Sequence, residues 1–195
     1  MLDDEDTRAN IAGVFWDDND LNRQLDASQL ILLNVFAGNG NYYLMQGLLT
    51  RFTSTLTADV QIVALPANYF LAVGADVENR PARLHAGGVG VTYEQFDHYG
   101  VMVEGSNVVF KGGNGQTGSL WYIKYPKSFA IQPVTDRAEF DDMVYQCILF
   151  HAASTLMIKD DGTTSRYQKL YKDTMTKILQ EPQAMHPMFD DAAIP

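Results

Sequence analysis

Val101-Met-Val-Glu-Gly-Ser-Asn-Val-Val-Phe-Lys111 is the stretch whose reading decides the fold. Two apolar runs flank Gly105-Ser106, and a glycine at the first turn position suits a two-residue type II′ connection, so the segment predicts a β-hairpin. Strand patterns continue upstream. Arg51 to Thr57 alternates, with Phe52 and Leu56 on one face and Arg51, Thr53 and Thr55 on the other. Val60 to Leu65 is a second run, stopped by Pro66, which has no N–H for a ladder. Phe70 to Val77 and Ala82 to His85 follow, with a turn expected at Asn79-Arg80-Pro81. Downstream, Gly112 to Gly118 reads as a loop, and Ser119 to Tyr125 sets Leu120 and Tyr122 against Trp121, Ile123 and Tyr125. About six short strands of this kind suffice for a small antiparallel sandwich or barrel.

Helical periodicity flanks the β region. Thr7 to Trp16 predicts a short helix and Asn19 to Phe36 a longer one, interrupted by Gly38-Asn39-Gly40-Asn41. Tyr42 to Leu49 fits either helix or strand. Asp136 and Glu139 read as a capping box for a helix running to Lys159, with Phe140, Met143, Val144, Cys147, Ile148, His151 and Thr155 on one stripe. After a turn at Lys159 to Gly162, a last helix spans Thr164 to Leu179, ended by Glu181-Pro182. The expected fold class is α+β, a helical bundle with an inserted antiparallel β-sandwich or barrel and an extended C-terminal tail. Its segments are 1–48 (helical), 49–134 (β insertion), 135–179 (closing helix pair) and 180–195 (docking tail).

Composition narrows the function classes. The 195 residues are 46% hydrophobic, which argues for a folded chain, and no apolar run approaches the ~20 residues of a membrane span. The acidic start Met-Leu-Asp-Asp-Glu-Asp is unlike a secretory signal, and a single cysteine, Cys147, allows no intramolecular disulfide. The chain is thus expected to be made in the cytoplasm and to avoid membranes. A formal charge of −10 opposes tight nucleic-acid binding. The charge is uneven: residues 1–20 carry seven acids against Arg8 alone, whereas 163–179 carry Arg166, Lys169, Lys172 and Lys177 against Asp173. Either run can be a solvated face; together they suggest acidic and basic surfaces meeting between neighbouring copies.

Chemistry-bearing motifs are weak throughout. Gly112 to Gly118 lacks the closing Gly-Lys-Ser/Thr and the following helix of a phosphate loop. Asp18 to Gln29 fails the calcium-loop pattern, with Arg23 where glycine is needed and Gln29 where glutamate is needed. His85, His98, His151 and His186 have no metal spacing, and His151 reads as a hydrogen-bonded core histidine. No Gly-x-Ser-x-Gly elbow occurs, and Asp141 and Asp142 diverge on their helix. The chain is read as non-enzymatic, without metal or cofactor. One alternative is a glycan-binding or small-ligand β-sandwich using Trp121, Tyr122 and Tyr125 for stacking, although alternation puts Tyr122 on the opposite face.

The order of short motifs carries a further signal. Leu65-Pro-Ala-Asn-Tyr-Phe70 steps into a strand; Thr92-Tyr-Glu-Gln-Phe96 precedes Tyr99-Gly-Val-Met-Val-Glu-Gly105; Gly118-Ser-Leu-Trp-Tyr-Ile-Lys-Tyr-Pro126 ends on an aromatic-proline pair; Tyr167-Gln-Lys-Leu-Tyr171 follows the capped helix. Over roughly residues 50–179 this order resembles the head-to-tail adaptor (head-completion or connector) family of tailed bacteriophages. It departs from the family at Gly38-Asn39-Gly40, where members carry a long continuous helix. The resemblance implies a structural role in the virion neck, as a ring, a dodecamer, under the portal protein. Tail or neck proteins would be further partners, and the DNA would pass through without specific binding. It implies no catalytic residue. An acidic wall suits such a channel because it repels phosphates. Met185, Met188, Phe189 and Ile194, set among Pro182, Pro187 and Pro195, are the expected anchors by which the tail docks on a neighbour.

Overall fold

A computed structural model describes residues 18–86, 99–129, 139–156 and 164–180. The expected helix at Thr7 to Trp16, the Thr92 to Phe96 segment, Asp136, the turn at Lys159 to Gly162 and the tail from 181 onward lie outside the described residues. The chain divides into two compact units. One is Leu48–Tyr125 and holds the strands; the other gathers the described helical residues before Leu48 and after Tyr125.

The β unit contains β1 (Leu49–Thr55), β2 (Val60–Ala64), β3 (Tyr69–Val77), β4 (Arg80–Pro81), β5 (Arg83–Ala86), β6 (Gly100–Glu104), β7 (Asn107–Lys111) and β8 (Thr117–Lys124). They form two four-stranded sheets, ordered β1-β8-β3-β4 and β2-β7-β6-β5. The β6–β7 hairpin turns as its sequence requires: Glu104 pairs with Asn107, and Gly105 sits at φ 57°, the positive value a type II′ turn needs there. The inward faces of both sheets contribute to one apolar cluster, Leu56, Val77, Val101, Val108, Phe110 and Leu120, all fully buried.

Gly118 permits that closeness. A Cβ built on it would lie 2.6 Å from Cδ1 of Phe110, so the ring of one sheet rests directly against the glycine of the other. Gly112 is confined likewise, its Cβ position lying 2.9 Å from Leu56 Cδ1.

The helical unit contains α1 (Asp18–Gly38), a 3-10 helix (Tyr42–Leu48, whose last residue belongs to the β unit), α2 (Asp142–Leu156) and α3 (Thr164–Gln180). α1 buries Leu32, Leu33 and Phe36 and ends in a Schellman cap: Asn41 N–H donates to Phe36 O, Gly40 N–H to Ala37 O, and Gly40 takes φ 71°. α1 packs on α2 and α2 on α3.

Four expectations are corrected. The helical bundle with an inserted antiparallel sandwich or barrel is not found. The chain is α+β, but both sheets are open, with four bordering strands where a closed barrel has none, and only three α-helices and one 3-10 helix are described. Nor is the second sheet wholly antiparallel: β5 and β6 run parallel, so no hairpin can join them. The turn expected at Asn79 to Pro81 lies one residue earlier. Glu78 and Asn79 take φ 52° and 58°, the two positive values of a type I′ turn, and Arg80 and Pro81 pair with Val77 and Asp76. Finally, α2 begins at Asp142 because Asp141 caps it, its Oδ1 accepting the Met143 N–H at 2.8 Å. Glu139 instead accepts the Lys127 N–H at 2.9 Å.

Candidate functional site

Three groups of side chains could carry function among the described residues. The first lies on the outer face of the β1-β8-β3-β4 sheet, opposite the shared core. Register places Arg51 beside Trp121 and Asp76 beside Ser119. Arg51 Nη2 donates to Asp76 Oδ1 at 3.1 Å and to Ser119 Oγ at 2.8 Å, while Trp121 Nε1 donates to Asp76 Oδ2 at 3.0 Å. The Arg51 guanidinium also stands 5.1 Å from the centroid of the Trp121 ring. Arg51 Nη2 and Trp121 Nε1 both end on acceptors inside the group, and one carboxylate ties three strands together. This is a lock in which the Arg51 and Asp76 charges offset each other.

Sequence reasoning missed this cluster because its members come from three strands, Asp76 lying 25 positions from Arg51 and Ser119 lying 68 from it. One signal was available: Asp76 is an acid inside the apolar strand Tyr69–Val77, an unfavourable place for aspartate unless it is paired.

The second group is in the helical unit. His151 Nδ1 lies 2.9 Å from Ser28 Oγ, and its ring meets Tyr171 edge-on with centroids 5.0 Å apart. Ser28 donates its own proton to Gln24 O at 2.8 Å, so it accepts from His151, and Nδ1 carries the proton. That polarity is the reverse of an activated serine. Burial pushes the His151 pKa down and the Cys147 thiol up to about 12, which leaves both neutral. His151 is thus hydrogen-bonded between helices, the role its sequence position suggested. Asp26 makes a comparable tie, accepting the Phe129 N–H at 2.8 Å and the Ser128 hydroxyl.

The third group is the outer side of α3. Tyr167, Leu170, Tyr171, Thr174, Met175 and Ile178 follow one stripe, with Met175 and Ile178 buried. Arg166, Lys169, Lys172 and Lys177 are all exposed on the opposite side, within about 140° of the circumference at ~100° per residue. Of the other expected site residues, Met185, Met188, Phe189 and Ile194 lie outside the described residues.

The remaining motifs are absorbed by structure. In the Gly112 to Gly118 loop the N–H of Gly112 goes to Asp59 O, that of Gly113 to the Gln116 side chain, and that of Gly115 to Leu56 O. Amides spent in this way do not cradle a phosphate. The proposed stacking platform is divided: Tyr122 is buried and donates to Asn68 Oδ1 at 3.0 Å, Trp121 is half-buried against Arg51, and Tyr125 is exposed beside Phe70. Among the described residues no cluster of His, Cys, Asp or Glu could hold a metal ion, and no helix is long and apolar enough to cross a membrane. No protein-family model matches this chain, and no curated protein matches it.

Proposed function

We propose that this chain is a structural protein that works by assembly, a head-to-tail adaptor of a tailed bacteriophage that forms a ring, with the portal protein and tail or neck proteins as partners. The order of the motifs supports the reading, and two of them coincide with junctions of the fold. Leu65-Pro66 ends β2 and turns the chain into β3, and Tyr125-Pro126 is the junction at which the chain leaves the β unit for the helical one. Tyr167 to Tyr171 lies on the helix that closes the order, α3.

The cationic side of α3 supplies a means of assembly. Its apolar side is engaged within its own unit, while Arg166, Lys169, Lys172 and Lys177 are exposed and so available to an acidic surface of the neighbouring copy. The chain's own residues 1–20, rich in acids, supply charge of the right sign. The test is a triple reversal, Arg166→Glu, Lys169→Glu and Lys172→Glu. Substitution of exposed residues should leave circular dichroism and melting nearly unchanged. Ring formation on the portal, followed by native mass spectrometry, should be lost and should weaken with salt in the unmodified chain. An intact ring with the reversed helix would refute this mode of assembly.

A further inference from the structure

Four strands border the two sheets among the described residues: β1, β4, β2 and β5. Three carry features that blunt an edge against pairing, namely Arg51 in β1, Arg80 and Pro81 in β4, and Arg83 and His85 in β5. β2, Val60-Gln-Ile-Val-Ala64, carries neither charge nor proline.

Its register shows which backbone groups face outward. Gly112 N–H donates to Asp59 O and Leu65 N–H to Ser106 O, each at 2.9 Å, at the two ends of the β2–β7 ladder. Antiparallel alternation then turns residues 59, 61, 63 and 65 toward β7 and turns Val60, Ile62 and Ala64 away from it. The Ile62 side chain is 63% exposed, more than any other large apolar side chain among the described residues. On the same face, Val60 packs against Met102 and Val109, so the edge is held in place by its own sheet.

We propose that this edge is a strand-pairing site whose occupant is β2 of a second copy, antiparallel, with the two-fold axis at Ile62. The pattern is self-complementary. Val60 of one copy faces Ala64 of the other and Ile62 faces Ile62, so every outward N–H meets an outward C=O. No charge opposes another along the five residues, and the two exposed isoleucines become cross-strand neighbours. A two-fold contact joins two copies and is then complete. It therefore describes the free chain and stands independently of the adaptor reading.

The test is sedimentation of the full chain up to ~0.5 mM, since an edge this short makes a weak contact. The unmodified chain should dimerise, and Ile62→Pro should weaken dimerisation by about tenfold or more. Proline there removes a donor that points outward and spares the ladder to β7. Ile62→Lys, which leaves every backbone group in place, should do the same and covers the case in which the proline variant misfolds. Ile62→Cys should form a disulfide between copies on oxidation. Paired residues in such a ladder have Cα atoms about 5.5 Å apart, within disulfide range, and the native Cys147 is buried. A chain monomeric throughout, or a dimer indifferent to Ile62→Lys, would overturn the proposal. A dimer lost on deleting residues 181–195 but not with Ile62→Lys would assign the contact to that segment instead, and would also overturn it.

Discussion

Gly118→Ala adds a single methyl group at the tightest point between the two sheets. The new Cβ would stand 2.6, 2.9 and 3.0 Å from three ring carbons of Phe110, where ordinary contacts begin near 3.4 Å. Roughly 1 Å of room must therefore be found, as is typical of overpacking. Phe110 has no exposed surface into which it could retreat, and its neighbours Leu56, Val77 and Leu120 are fully buried as well. Overpacking of this kind costs ~1–3 kcal/mol, and the rigid ring puts Gly118 at the upper end. The backbone at Gly118 is not in the positive-φ region, so alanine is otherwise tolerated there and stiffens the unfolded chain by ~0.4–1 kcal/mol. The net loss should be about 2 kcal/mol.

Urea unfolding followed by tryptophan fluorescence, in a Trp16→Phe background that leaves Trp121 as the sole reporter, measures it. Phe110→Leu should make room for the methyl group, so the double variant should fall short of additivity by ~1 kcal/mol or more. A Gly118→Ala protein within ~0.5 kcal/mol of the parent, or strictly additive changes, would refute the packing of Phe110 on Gly118.

Asp76→Ala should cost ~1.5–3 kcal/mol, mainly through the Trp121 indole N–H left without its acceptor, since the Arg51 side chain is 37% exposed and its ion pair counts for little. Asp76→Asn, which retains an acceptor, should cost about half as much in urea unfolding. Cys147, pushed up to about 12 by burial, should react with a thiol reagent at mildly alkaline pH only as the protein unfolds; rapid stoichiometric labelling would contradict its burial. Burial holds the His151 pKa below 6.5, so between the folded and unfolded values the unfolded chain binds more protons, and stability falls as pH drops through about 6.5. His151→Gln should flatten the melting temperature between about pH 7.5 and 5.5.

The strands were legible where local chemistry determines them. Glycine at position 105 dictates its turn, Pro66 ends β2, and alternation in β8 separates Leu120 from Trp121. The parallel β5–β6 pair was not legible, because nothing in Arg83–Ala86 or Gly100–Glu104 distinguishes a parallel neighbour from an antiparallel one. Capping misled the reading of α2. Asp136 and Glu139 have the spacing of a capping box, yet Asp141 makes the bond and Glu139 is drawn to the Lys127 N–H across twelve positions. The Arg51, Asp76, Ser119 and Trp121 cluster depends on sheet register, which the sequence expresses only through the odd placement of Asp76. Gly118 looked like loop flexibility, and the structure makes it a packing residue. The exposed cations of α3 were the most legible of the candidate site residues, since a 3.6-residue period separates them from the buried stripe without reference to any other element.

The most direct test of the adaptor reading is the mass of the complex formed when this chain is mixed with the portal protein that the reading assigns to it. An adaptor should add many copies to each portal ring, as a closed ring visible by negative stain. A chain that stays free at all ratios and leaves the portal mass unchanged would contradict it.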